Sequence, residues 1–261
     1  MSTAPIAHQI AGTTVTMPVH IRDARCFVAA FTADVGAVTT AIAHTGLSPL
    51  RIRPGVTGEG RTLCMLVFVD YIDGDLGPYN EFGVCFLVNP PDGGPASGSF
   101  SSLKSLVAGD ARALVHHLPV DGEFTLAAGR GIWGFPKTLA DFTVNHDAAT
   151  KRGTVHSDGQ LVVDLSVRRG ISMPASSASD NVVLHAYSHL DGITRATDWR
   201  LTETTGTRTR VGGAKLTLGS GPIADELRAL KLSRHALMAS SVDHISMTFE
   251  EPEVVTSLRS T

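Results

Sequence analysis

The 261-residue sequence lacks most of the features that assign a protein to a class at a glance. No apolar run is long enough to cross a bilayer as a helix. Residues Met1 to Met17 also lack the charged-then-apolar order of a secretory leader, so the expectation is a cytoplasmic protein with no membrane partner. Positive charge is scarce, with 22 Lys and Arg against 25 Asp and Glu and a formal charge of -3. No basic cluster offsets that balance, which argues against nucleic acid as a partner. Cysteine is scarcer still. Cys26, Cys64 and Cys85 are odd in number, widely spaced and set in apolar strand-like segments, so buried thiols are expected rather than disulfides. The histidines show no His-Glu-x-x-His spacing and the serines no Gly-x-Ser-x-Gly elbow, so neither a metal nor a serine triad is expected, and no cofactor.

What is present is a chain with 43% hydrophobic and 18% charged residues, enough to bury a sizeable core. Its length fits one large β domain or two small ones, and in the absence of a clear linker the reading is a single unit over 1–261. Strands are expected at Cys26–Phe31, Thr62–Ile72 and Phe82–Val88, the last two joined as a hairpin by Asp73-Gly74-Asp75. Between the first two, Asp34 caps a helix over Val35–His44 that Gly46 ends, and Gly55–Gly60 is a turn-rich connection. Pro90–Ser102 reads as a mobile loop, and Leu103–His117 fits either a helix or a loop followed by a strand. Phe124–Ala128 reads as a strand. Further strands are expected at Asp141–Asn145, Lys151–His156, Gln160–Arg168, Val182–Ser188, Ile193–Thr202, Arg208–Leu218 and His244–Glu250. Ile223–Leu232 has the period of an amphipathic helix. The sum is a mainly β protein, an antiparallel closed barrel with peripheral strands and a few short helices.

The stretch Gly129-Arg-Gly-Ile-Trp-Gly-Phe-Pro-Lys-Thr-Leu-Ala-Asp-Phe142 concentrates the chemistry. Gly129, Gly134 and Lys137-Thr138 do not make a phosphate loop, because Phe135 and Pro136 interrupt the contiguous Gly-Lys-Thr that such a cradle needs. Lys137 instead follows an aromatic and a proline, with Ile132, Trp133 and Leu139 nearby. Desolvation there would favour the free amine, a nucleophile for carbonyl carbon. The residues alone also fit a strand-end lysine whose stem covers aromatics while its amine reaches water.

Those residues carry a resemblance. Phe135-Pro136-Lys137, preceded by Ala128-Gly129-Arg130 and Trp133-Gly134, resembles the Schiff-base segment of the acetoacetate decarboxylase family. Leu76-Gly77-Pro78-Tyr79-Asn80-Glu81 is similar to the segment that supplies an active-site glutamate in that family. The resemblance implies a cone-shaped β-barrel with the site inside it, Lys137 as the iminium-forming amine and Glu81 as a general acid/base. It further implies a binding surface drawn from Arg25 or Arg22 for a substrate carboxylate, with Phe135, Trp133, Tyr79 and His117 nearby. His117 enters because strand alternation would turn one of His116 and His117 toward the site. The sequence departs from the archetype at Thr138, where a second lysine would stand. It departs again at Gly131 and near Met65 and Leu66, where acidic residues would stand. With no neighbouring ammonium, burial must lower the Lys137 pKa.

The expected function is therefore a Schiff-base-forming lyase acting on a small oxo acid, by β-keto acid decarboxylation or by aldol and dehydration chemistry. The alternative is a barrel that binds a small carboxylate or apolar ligand without transforming it. A homo-oligomer is expected from the resemblance.

Overall fold

The computed structural model describes residues 6–52, 60–89, 91, 112–177 and 182–255. The expected loop over Pro90–Ser102, most of the Gly55–Gly60 connection and the first part of Leu103–His117 lie outside the described residues.

Long strands with one apolar face and a second apolar face behind it need two partners, and closure into a ring supplies both. The ring is built from β1 (Val19–Asp34), β2 (Arg61–Gly74), β3 (Tyr79–Leu87), β4 (Arg112–Val120), β5 (Val183–Leu190), β6 (Ile193–Thr205) and β7 (Met238–Phe249). Consecutive members pair in that order, and β7 returns to pair with both β6 and β1, which closes a seven-strand barrel. A closed ring with an odd number of strands cannot alternate direction all the way round. The obligatory exception is β4–β5, which runs parallel, with Arg112 opposite His185 and Leu114 opposite Tyr187. The fully antiparallel ring read from sequence is corrected at that one seam.

Alternation then sorts the side chains. Cys26 and Val28 of β1, Val67, Val69 and Tyr71 of β2, and Glu81, Gly83 and Cys85 of β3 face the barrel interior. The intervening Phe27, Phe31, Phe68, Phe82 and Phe86 face outward and are almost wholly buried. A four-stranded sheet of Asp141–Asn145, Thr150–Ser157, Gln160–Arg168 and Ala214–Leu218 covers part of that outer face. Phe68 is the centre of the contact, with ring centroids 5.1 Å from Phe27, 4.8 Å from Phe82 and 6.3 Å from Phe142. Each ring removed from water contributes about 1.5–3 kcal/mol.

Three helices of eight or nine residues are present among the described residues: α1 (Val35–Ile42), α2 (Glu123–Gly131) and α3 (Pro222–Ala229). Asp34 caps α1 by accepting a hydrogen bond from the Ala37 amide. The strand expected at Phe124–Ala128 is instead α2, a stretch too short for hydrophobic period to separate strand from helix. The single strand expected over Arg208–Leu218 is two, Arg208–Val211 and Ala214–Leu218, because Gly212 and Gly213 take φ of 62° and 79° and send the second piece to the other sheet. The β2–β3 hairpin turns two residues later than expected, after Gly74.

Gly153 is where the covering sheet comes closest to the barrel. A Cβ there would lie 2.6 Å from two ring atoms of Phe68. Gly153→Ala is expected to destabilise the protein by about 1–3 kcal/mol in urea denaturation, the range for overpacking. In a Phe68→Leu background the same substitution should cost less, since the opposing ring edge is gone.

Candidate active site

The site begins with an edge shared between two strands. β5 pairs with β4 only at Arg112–Leu114, which leaves the other end of that edge free. The short strand Lys137–Leu139 takes it, running parallel to β4 with Leu118 opposite Lys137 and Val120 opposite Leu139. The segment between is wound into α2 and a tight return, in which the Phe135 amide donates to the Gly129 carbonyl and the Lys137 amide to the Phe135 carbonyl. Pro136 fits this return because its missing amide is not required there.

Helical period explains why α2 suits a lysine. Thr125 and Gly129 are four residues apart and so share a face. The Lys137 Nζ donates to Thr125 Oγ1 at 2.7 Å, and the lysine stem lies across Gly129 so closely that a Cβ would sit 2.6 Å from both Cδ and Cε. Thr125 and Gly129 are both buried, and Lys137 is only 3% exposed. Nζ also lies 3.0 Å from Glu81 Oε2 and 4.7 Å from the centre of the Tyr79 ring. Tyr71 donates its hydroxyl to Glu81 Oε1 at 3.1 Å and stacks on Tyr79 at 4.3 Å.

Burial drives the electrostatics. It lowers the Lys137 pKa below the usual lysine range, and the Glu81 carboxylate opposes that shift. Burial also holds the Tyr71 and Tyr79 phenols well above their ordinary pKa, so both stay protonated and Tyr71 remains a donor. The thiols of Cys26 and Cys85 are pushed up to about 12 by burial, which removes them as nucleophiles at neutral pH.

Glu81 and Tyr71 line a cavity of about 470 Å³ inside the barrel. Its other walls are mainly aliphatic, with Trp199 and Met247 across from the carboxylate strand, and among the described residues lining it there is no Arg or Lys. A carbonyl compound entering this space meets the Glu81 carboxyl group and the Tyr71 phenol, and Lys137 Nζ is held 3.0 Å from Glu81 Oε2.

The residues expected at the site are distributed unevenly. Lys137, Glu81 and Tyr79 come together. Trp133 and Phe135 lie behind the wall: Trp133 donates its indole N–H to the Glu250 carbonyl, and Phe135 packs at 6.0 Å against Trp199, which is the aromatic that reaches the cavity. Arg25 and Arg22 do not reach it. Cys26 points inward, so Arg25 points outward, where it binds Asp70 at 2.9 Å and Asp147 at 2.8 Å. Arg22 is half exposed and holds Asp73 and Asp75 at the end of the β2–β3 hairpin. His117 also faces outward, for a reason that alternation does not supply. The β3–β4 register slips by one residue between Val84–His117 and Cys85–Val115, a β-bulge at His116. Val115 and Leu118 consequently both enter the cavity, while His116 and His117 both face Glu226 of α3 on the outside. Although no metal-ligand spacing is visible in sequence, these three side chains place ligand atoms within 4.8 Å of one another.

Thr125, Tyr71 and Trp199 were missed. Tyr71 was legible in principle, since the hairpin register that sets Tyr71 opposite Tyr79 also sets it diagonal to Glu81. Thr125 needed the helix, and Trp199 no local signal marks.

The chain and its barrel have relatives. A family model for acetoacetate decarboxylase (ADC) matches residues 3–257. Acetoacetate decarboxylase 3 of Mesorhizobium japonicum is 31% identical over 84 residues, a stretch covering 30% of this chain and 33% of that protein. A solved acetoacetate decarboxylase superposes with a TM-score of 0.63 at 18% identity, over 91% of this chain and 89% of its own. The Legionella pneumophila acetoacetate decarboxylase gives 0.62 at 17%, over 92% and 87%. The enduracididine biosynthesis enzyme MppR gives 0.59 at 16%, over 98% and 100%. Since the family match runs from residue 3 to residue 257, the chain belongs to the acetoacetate decarboxylase family.

Proposed function

We propose that the protein is a Schiff-base-forming lyase acting on an oxo acid, with Lys137 as the amine and Glu81 as the proton carrier. The observation that carries this reading is the Lys137–Glu81 contact of 3.0 Å at 3% and 6% exposure, with Glu81 lining the barrel cavity. An ammonium and a carboxylate buried at that distance can exchange one proton and become an amine and a carboxylic acid. The amine then attacks the ketone carbon, and the acid protonates the departing hydroxyl, so that water leaves and an iminium forms. The iminium accepts the electron pair released when a β-keto carboxylate leaves as carbon dioxide. The apolar lining favours that step, because it replaces a localised carboxylate with a neutral product. Glu81, left as a carboxylate by iminium formation, takes up a proton from solvent and passes it to the enamine carbon, and hydrolysis of the resulting iminium frees Lys137.

With a 2-oxo acid the same enamine would attack an aldehyde. MppR has been solved with pyruvate, and also with the condensation product of pyruvate and imidazole 4-carboxaldehyde. Both routes require the Lys137 iminium: a β-keto acid reaches the enamine by losing carbon dioxide and is then protonated, whereas a 2-oxo acid reaches it by losing a C3 proton to the Glu81 carboxylate and then attacks the aldehyde. The cavity has room for an apolar body beyond the reacting carbons, so the test panel comprises acetoacetate, longer β-keto acids and pyruvate.

Borohydride added with each oxo acid is expected to fix a reduced adduct on Lys137, seen by intact mass and lost in Lys137→Ala. Wild type giving no adduct with any member of the panel ends this reading. Trapping in wild type should rise with pH as Lys137 loses its proton, in a range below the ordinary lysine value of about 10.4. Glu81→Gln removes the charge that holds the ammonium in place. Its trapping curve should therefore move to lower pH, while turnover falls by about 10²–10⁴-fold through loss of the proton carrier.

Gly129→Ala tests the seat of the lysine. The added methyl meets the middle of the Lys137 stem, so Nζ must leave Thr125 and Glu81. Trapping is expected to slow by about 10²-fold, the scale for displacing a reacting group by an ångström. Circular dichroism should show the fold retained.

A further inference from the structure

The geometry points to a transition-metal site on the outer face of the barrel, formed by His116 and His117 of β4 and Glu226 of α3, for a borderline divalent ion of the zinc class. His116 Nε2 lies 2.7 Å from Glu226 Oε1, and His117 Nε2 lies 3.2 Å from the same oxygen. Two adjacent strand residues ordinarily face opposite ways, and here the bulge at His116 turns both toward one carboxylate. The two imidazoles meet edge to face with centroids 4.4 Å apart.

Donor chemistry selects the ion. Two imidazole nitrogens and one carboxylate oxygen suit zinc, cobalt, nickel or copper, whereas magnesium and calcium take oxygen ligands. Zn–N and Zn–O bonds of about 2.0–2.1 Å hold tetrahedral ligands about 3.3 Å apart, so His117 already has the required separation and His116 needs to withdraw by roughly half an ångström. Burial raises the Glu226 carboxyl, but hydrogen bonds and charge interactions with His116 and His117 together outweigh it and hold the group down to about 2, so it is ionised at neutral pH. Each imidazole donates an Nε2 proton to it in the unmetallated form. An ion held by the two Nε2 lone pairs would require each ring proton to sit on Nδ1.

The surroundings fit a site that an ion can enter and keep. The His116 side chain is 7% exposed and packs at 5.2 Å on the buried ring of Phe86, while His117 and Glu226 are 26% and 29% exposed. The inner wall is therefore dry and the outer ligands face solvent. Exposed His44, with its ring centroid 6.2 Å from that of His116 and 5.0 Å from that of His189, stands outside the three-residue group, so water would complete the ion's coordination. The ion would fasten α3, otherwise held through Ala224, Leu227 and Leu230, to the strand whose inner face carries Val115 and Leu118.

Chelator-stripped protein titrated with cobalt(II) is expected to develop visible ligand-field bands that saturate at one ion per chain and disappear when zinc is added. Zinc should also raise the thermal midpoint. His117→Ala and Glu226→Gln each leave the buried His116 in place, and Glu226→Gln keeps a hydrogen-bond acceptor for both imidazoles. Both variants should fold, lose the bands and lose the zinc-dependent thermal shift, while oxo acid trapping by Lys137 is unchanged. Wild type without saturable bands, or bands that persist at full strength in both variants, would overturn the assignment and leave the three side chains as a hydrogen-bonded tie between helix and barrel.

Discussion

The contact between Lys137 Nζ and Glu81 Oε2 constrains everything around it. Two opposite charges taken out of water together cost several kcal/mol each in desolvation, and their attraction repays this only with good geometry and satisfied hydrogen bonds. Thr125 and Tyr71 provide those bonds, one to each partner. The pair has a second way to lower its cost that a salt bridge with arginine would not have. Moving one proton across 3.0 Å turns both charges into neutral groups, and burial of Lys137 pushes in that direction. The interior that makes the ion pair costly is thus the same interior that makes the amine available.

The odd-numbered ring is what gives that lysine a place in the wall. Because one seam must be parallel, β4 and β5 cannot be joined by a hairpin, and the chain makes a long excursion between them. β5 returns to only one end of β4. The other end accepts Lys137–Leu139 from the start of the excursion, so Lys137 is hydrogen-bonded into the barrel rather than carried on a free loop. The bulge at His116 lies between the two paired ends. It lets Val115 and Leu118 both reach the cavity, and it gathers the two histidines on the outside.

Local pattern made much of this legible. The apolar strands β2 and β3 and the hairpin between them were enough to expect a barrel, and the family resemblance of the Phe135-Pro136-Lys137 and Leu76–Glu81 segments was what placed Lys137 and Glu81 in it. What stayed hidden depends on register or on distant partners. Arg25 was expected near a substrate carboxylate, yet its direction follows from the inward position of Cys26, and its charge is already matched by Asp70 and Asp147. His117 was assigned by alternation, which a one-residue bulge cancels without any mark in composition. The five residues Phe124–Ala128 suit strand and helix equally, and only the need to seat Lys137 against Thr125 and Gly129 separates the two.

Thr138 shows why burial rather than a neighbouring charge governs this amine. On a strand, successive side chains point to opposite faces. Lys137 is buried and Thr138 is exposed, so whatever stands at 138 has its head group in water on the other side of the wall. A positive charge held there would be screened by solvent before it acted on Nζ. The groups that touch Nζ are instead Thr125, Glu81 and the Tyr79 ring, and none of them carries positive charge. What sets the protonation of Lys137 is therefore the balance between a dry cavity, which favours the amine, and one carboxylate, which favours the ammonium.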